Sequence, residues 1–157
     1  MKAVSRIGIC CIAALSCSPR HNNDVPRTIV ARGEMLVESK HLLQEGNVYL
    51  LPAYRDLLRS ADSALRARPV SVMQKSAIPP SGSKHDFLSR APYWWPDPTK
   101  PNGLPYIRRD GEMNPQTRVD HDGLRFLAMT DRVEALALAY WFSGQERYAN
   151  RAAFLVR

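Results

Sequence analysis

Between Pro69 and Thr117 the chain carries prolines at positions 79, 80, 92, 96, 98, 101, 105 and 115 and glycines at 82, 103 and 111. Proline lacks a backbone donor and displaces the residue before it from helical geometry, so no long helix or central strand fits here. An irregular stretch of this length inside a domain is usually a functional loop or a disordered linker. Phe87, Tyr93, Trp94, Trp95, Tyr106 and Ile107 make it too aromatic for a solvated linker. The expectation is an ordered loop, placed for function on a scaffold built from the rest of the chain.

That scaffold reads as helical. Leu51, Tyr54, Leu57, Leu58, Ala61 and Leu65 recur at spacings of three or four, predicting an amphipathic helix over Leu50–Ala67, with Pro52 in its first turn and Pro69 as its stop. A further helix is expected between Glu34 and Gln44, closed off by Gly46-Asn47. Beyond the loop, Leu124, Leu127, Ala128, Asp131, Ala135, Leu138 and Trp141 predict a helix over Asp122–Phe142, which Ser143-Gly144 breaks. Another starts at Gln145 or Glu146 and runs through Tyr148, Ala152 and Leu155 to Arg157. Two helices joined so briefly form an antiparallel hairpin. Such hairpins stack into solenoids or toroids because each pair needs neighbours to cover its apolar face. The fold class expected is therefore all-α, an incomplete (α/α) toroid of antiparallel hairpins with one long Pro/aromatic-rich loop, truncated within its last helix.

At the N-terminus, Lys2 and Arg6 precede the apolar run Ile7–Leu15 and the small residue Ser16, the order of an export signal. The run is too short to span a bilayer as a helix. Residues 1–17 are read as a signal peptide, 18–25 as a polar linker and 26–157 as the folded portion, in the periplasm or secreted. Ala14-Leu15-Ser16-Cys17 also hints at a lipid attachment site at Cys17. Cys10, Cys11 and Cys17 all fall in this segment, which leaves the folded portion without disulfides or thiolate metal ligands.

The 22 Lys and Arg against 15 Asp and Glu give a net charge of +7, falling to +5 on removal of Lys2 and Arg6, and this favours an anionic partner. Basic residues interleaved with acidic ones, rather than gathered in a stripe, argue against nucleic acid. Flat aromatic faces at Tyr93, Trp94 and Trp95 suit the axial C–H groups of a pyranose ring. Lys84, Arg108 and Arg109 suit a carboxylate, which arginine can grip through two parallel hydrogen bonds. Against this, one of Trp94 and Trp95 is expected in the core, and Arg108 and Arg109 have Asp110 and Glu112 beside them as surface ion-pair partners. His85 serves either as a sugar donor or as a backbone brace, whereas His121 between Asp120 and Asp122 is read as structural at a helix entrance. No spaced ligand pair indicates a metal.

The runs Ile78-Pro79-Pro80-Ser81-Gly82-Ser83-Lys84-His85-Asp86-Phe87-Leu88-Ser89, Ala91-Pro92-Tyr93-Trp94-Trp95-Pro96-Asp97-Pro98, Gly103-Leu104-Pro105-Tyr106-Ile107-Arg108-Arg109-Asp110-Gly111 and Asn114-Pro115 closely resemble the N-terminal half of the alginate lyase domain family. The likeness runs from about Pro26 to the end. It implies a polysaccharide lyase cleaving alginate or another acidic uronate polymer by β-elimination, without a cofactor. The family's helical toroids imply an Asn-His pair, an arginine and a tyrosine for the chemistry, on helices expected beyond Arg157; nothing in this sequence matches them. What the resemblance supports here is a substrate-binding loop, with Lys84, His85, Tyr93, Trp94, Trp95, Tyr106, Arg108 and Arg109 as its contacts. A non-catalytic carbohydrate-binding protein, a helical scaffold, and a glycoside hydrolase using Asp86 and Asp97 are the alternatives.

Overall fold

A computed structural model describes residues 25–119 and 121–157. The expected signal segment with its cysteines, nearly all of the 18–25 linker, and Asp120 lie outside the described residues. The chain divides at His41 into a small N-terminal unit and a larger unit, Leu42–Arg157. Helix α1, Gly33–Gln44, crosses that division. Its first turn opens with amides of Met35 and Leu36 both donating to the Arg32 carbonyl.

In the larger unit, α2 is Leu51–Ala64, α3 is Asp122–Ser143 and α4 is Glu146–Leu155. The apolar spacing is that expected; α2 and α4 are shorter than expected, and α3 runs one residue further, to Ser143. After Ala64 the backbone tightens, with Arg66 N donating to Ser63 O and Ala67 N to Ala64 O, so α2 closes ahead of Pro69. Helix α4 stops at Leu155 rather than Arg157. Between α3 and α4 the chain turns at Gly144, whose φ of +69° lies in the left-handed region that a side chain disfavours.

Helix α3 packs on both α2 and α4, and the core lies where the three meet: Ala61 and Ala64 from α2, Leu136 and Ala139 from α3, Tyr148 and Leu155 from α4. The alanines let the helix backbones come close, while Leu136 and Tyr148 fill the remaining volume. Leu57, Leu58, Leu65, Val133 and Ala152 border them. At one margin Tyr54 meets Phe142 edge-on, with ring centroids 6.4 Å apart. Buried Tyr148 keeps its hydroxyl satisfied by donating to Asp62 at 2.9 Å, and burial together with that carboxylate pushes its pKa up.

The stretch from Pro69 to Thr117 holds only short elements. Val72–Gln74 is a 3-10 turn capped at Ser71, whose hydroxyl accepts from Met73 N while Gln74 Oε1 accepts from Ser71 N. Strands β1, Trp94–Trp95, and β2, Ile107–Arg108, form an antiparallel pair with Trp94 opposite Arg108 and Trp95 opposite Ile107. A second 3-10 turn, Pro115–Arg118, leads into α3.

Candidate functional site

The two short strands organise the loop. Arg109 N donates to Tyr93 O at 2.9 Å, extending the ladder by one residue. Because side chains alternate along a strand, Tyr93, Trp95, Ile107 and Arg109 lie on one face and Trp94 and Arg108 on the other. Gly103 makes the connection between strands fit: its φ is +69°, its carbonyl accepts from Asp97 N at 2.9 Å, and a Cβ there would stand 2.8 Å from Pro96 Cβ.

Buried Asn114 braces the hairpin from below. Its backbone N–H donates to Pro92 O and its Nδ2 to Trp94 O, each at 2.7 Å, while its Oδ1 accepts from Gln116 N. Its side chain thus ties β1 to the second 3-10 turn.

The faces differ in what their residues touch. Trp95 is half-buried, donates from Nε1 to Glu112 O at 3.0 Å, and lies under the Arg109 guanidinium, 5.2 Å from its ring centroid. Arg109 also reaches Glu112 at 3.4 Å. Trp94, in contrast, is 43% exposed beside Arg108, whose Nε donates to Asp110 at 2.7 Å. The Arg108 guanidinium has further N–H donors beyond Nε, and a solvent-exposed pair of this kind holds weakly. Neither tryptophan is in the core, contrary to the expectation that one would be. Trp95 is instead covered by Arg109 and bonded to Glu112 within the hairpin. Tyr93 and Tyr106 are both exposed near the same strands.

Lys84 and His85 belong to a second cluster. His85 is exposed, with its backbone N–H donating to Ser83 Oγ, and Lys84 is half-buried. Their segment is held from beneath by a group that sequence reasoning missed. Lys75, wholly buried, donates from Nζ to Val72 O at 2.6 Å, to Lys84 O at 2.7 Å and to Asp122 Oδ2 at 2.9 Å. Asp122 Oδ2 accepts Leu88 N at 2.8 Å as well. Burial opposes ionisation of Asp122, but the Lys75 ammonium and the Leu88 amide outweigh it and hold the carboxyl below its ordinary range. His121 precedes α3 and is buried, its Nε2 donating to Thr117 O at 2.9 Å rather than capping the helix with its side chain. The structural role expected for it fits that placement.

Asp97, raised as one carboxylate of a glycosidase pair, accepts from both the hydroxyl and the amide of Thr99, and these bonds hold its pKa below the ordinary value. A carboxyl biased towards ionisation is a poor proton donor, so in such a pair Asp97 would not be the acid. A groove of the larger unit runs between α2 and α3 along Asp56, Arg59, Ser63, Asp131 and Arg132, and shares no residue with the hairpin. It has charges of both signs, with Arg59 pairing to Asp56 on the helix surface, and offers no aromatic face. Among the described residues there is no group of three His, Cys, Asp or Glu side chains suited to a metal, and no helix long and apolar enough to cross a membrane.

The model of the alginate lyase family matches residues 71–157, which include the Lys75–Asp122 cluster, the hairpin and the α3–α4 pair. A crystal structure of an alginate lyase from Bacteroides ovatus is 47% identical to this chain, with a TM-score of 0.66 over 78% of it. The chain belongs to the alginate lyase family. It spans 32% of the length of that Bacteroides ovatus alginate lyase. Comparison with curated proteins gave no match. Within the family match, the hairpin and the Lys84–His85 segment hold all the residues that the sequence singled out for binding.

Proposed function

We propose that this alginate lyase family member grips an acidic uronate polymer for cleavage by β-elimination, with Trp94 and Arg108 as the central contacts. The observation that carries the reading is their position opposite each other on one exposed hairpin face. A pyranose ring laid on Trp94 brings its carboxylate within reach of a guanidinium, and the two contacts together distinguish a uronate from a neutral sugar. Lys84, His85 and Tyr106 are assigned supporting contacts, and Tyr93, on the opposite face of the hairpin, is not. Arg109 and Trp95 are assigned to bracing the hairpin.

Elimination requires neutralising the uronate carboxylate, removing the C5 proton and protonating the oxygen that leaves C4. The Arg108 face supports the first requirement; proton transfer is assigned to no residue of this chain. In architecture, the reading takes the α3–α4 pair as one hairpin of an (α/α) toroid. A binding protein without turnover would use the same face, and release of unsaturated, ultraviolet-absorbing product from alginate separates the two.

Titration calorimetry with alginate oligosaccharides tests the grip. Arg108→Ala is expected to weaken binding by about 1.5–3 kcal/mol through loss of a hydrogen bond to a charged group. Trp94→Ala should weaken it too, with the melting temperature nearly unchanged, while Trp95→Ala lowers the melting temperature. Wild-type affinity in both Trp94→Ala and Arg108→Ala would remove the basis for the assignment.

Export is part of the same proposal, supported by the order of basic, apolar and small residues over 1–17, with lipid attachment at Cys17 as its variant. Fractionation of the host should find processed protein outside the cytoplasm; full-length protein confined to the cytoplasm would contradict it.

A further inference from the structure

Among the described residues, Lys75 is a cation with no exposed surface, and its donor set is filled. An ammonium carries three N–H bonds, and the three acceptors Val72 O, Lys84 O and Asp122 Oδ2 match them. No proton of this group is left to meet a substrate. Its acceptors come from three places: the first 3-10 turn, the Lys84–His85 segment and the first residue of α3. On the other side of the pair, Leu88 is held at both backbone groups, its N–H donating to Asp122 Oδ2 and its carbonyl accepting from Gly123 N at 3.3 Å. Gly123 leaves little room for a side chain, since a Cβ there would be 3.0 Å from the His121 ring and 3.1 Å from Ser89 Oγ. Arg125 Nη2 donates to Gln74 O at 3.3 Å, and Phe126 meets Phe87 edge-on at 6.5 Å. Both add contacts between the start of α3 and the same loop.

We propose that Lys75 and Asp122 are positioning residues for the substrate loop, fixing the backbone at Lys84 and Leu88 against the first turn of α3 so that Lys84 and His85 are presented to the polymer. The proposal rests on the binding role assigned to that loop. A buried ion pair contributes little net stability compared with apolar residues of similar volume, because desolvation offsets its attraction. What Lys75 and Asp122 supply, and a hydrophobic plug does not, is a set of directed bonds to chosen backbone atoms. Holding a loop before its ligand arrives reduces the ordering cost of binding.

The test compares Lys75→Met/Asp122→Leu with wild type by amide hydrogen exchange and by titration with alginate hexasaccharide. Replacing both charges together avoids leaving one buried alone, so the variant should lose less stability than Lys75→Met, and the helices should keep their slow exchange. Amides of residues 84–90 should exchange about tenfold faster or more, and hexasaccharide affinity should fall about tenfold. Unchanged exchange in 84–90 would overturn the proposal, as would faster exchange with wild-type affinity. Should that variant fail to fold, Asp122→Asn and Asp122→Ala decide. The asparagine keeps an oxygen for Leu88 N–H, so it should keep 84–90 slow to exchange even if the melting temperature falls, whereas alanine should not. Equal exchange in the two would overturn the proposal. A wild-type chain that ignores the hexasaccharide would count against the binding role itself, while the exchange measurement would still decide whether the pair fixes the loop.

Discussion

Lys75→Met alone is expected to lower the unfolding free energy by about 3–5 kcal/mol, the usual cost of removing one partner of a buried pair. The side chain it removes is wholly buried, and Asp122, 3% exposed, would keep a carboxylate with no cation beside it. Lys84 O and Val72 O would lose their donor in the same change. Urea denaturation followed by circular dichroism measures the loss. The Arg108–Asp110 pair gives the contrast, since its side chains are 63% and 73% exposed and solvent already competes for both charges. Arg108→Ala should therefore cost less than about 1 kcal/mol of stability. A Lys75→Met loss as small as that would mean that water reaches the pair or that the loop rearranges to satisfy Asp122.

Acid should reveal the same pair without mutation. The Asp122 carboxyl titrates lower in the folded chain than in the unfolded one, so its stabilisation is complete above about pH 4, the unfolded value. Below that, the unfolded state takes up the proton more readily, and the stabilisation is lost as pH falls through the folded value. Lys75→Met removes a main cause of the lowering, so the variant should lose less further stability than wild type on acidification from pH 5 to about pH 3.

Helical spacing alone placed α2, α3 and α4, because a three-or-four repeat of apolar residues has few other uses, and Gly144 marked the turn between the last two. The prolines likewise bounded the loop. Three features were out of reach. The end of α2 depends on how its last carbonyls are taken up, which spacing does not encode. The two-residue strands are too short for alternation to register, so Trp94 and Trp95 could be seen as adjacent but not assigned to opposite faces of a hairpin. Lys75 and Asp122 lie far apart in sequence on different elements, and a lysine outside any motif gives no sign that it will be buried. The binding candidates were legible by residue type, whereas the buried groups that hold them depend on tertiary contacts. Asn114 shows the same division: its motif is visible in the chain, while its bond to Trp94 O is visible only in the fold.

Leu136→Ala is expected to cost about 2–5 kcal/mol. Leu136 is fully buried where α2, α3 and α4 meet, and three of its fellow core residues are Ala61, Ala64 and Ala139. A cavity closes when longer neighbours rotate into it, and alanine has no side chain with which to do so. Tyr148 is the large residue of the same cluster, but its hydroxyl is tied to Asp62, and moving the ring inward would break that bond. Leu155 and the bordering Leu57, Leu58, Leu65 and Val133 are the side chains left to relax, so the removed volume should close only in part. Leu127, on the same helix but 60% exposed, supplies the control, and Leu127→Ala should change stability by less than about 0.5 kcal/mol. Urea midpoints of the two variants measure the difference. Equal losses at both positions would mean that the apolar stripe of α3 is buried differently from the packing described, whereas a loss confined to Leu136 supports the junction of α2, α3 and α4 as the core of the larger unit.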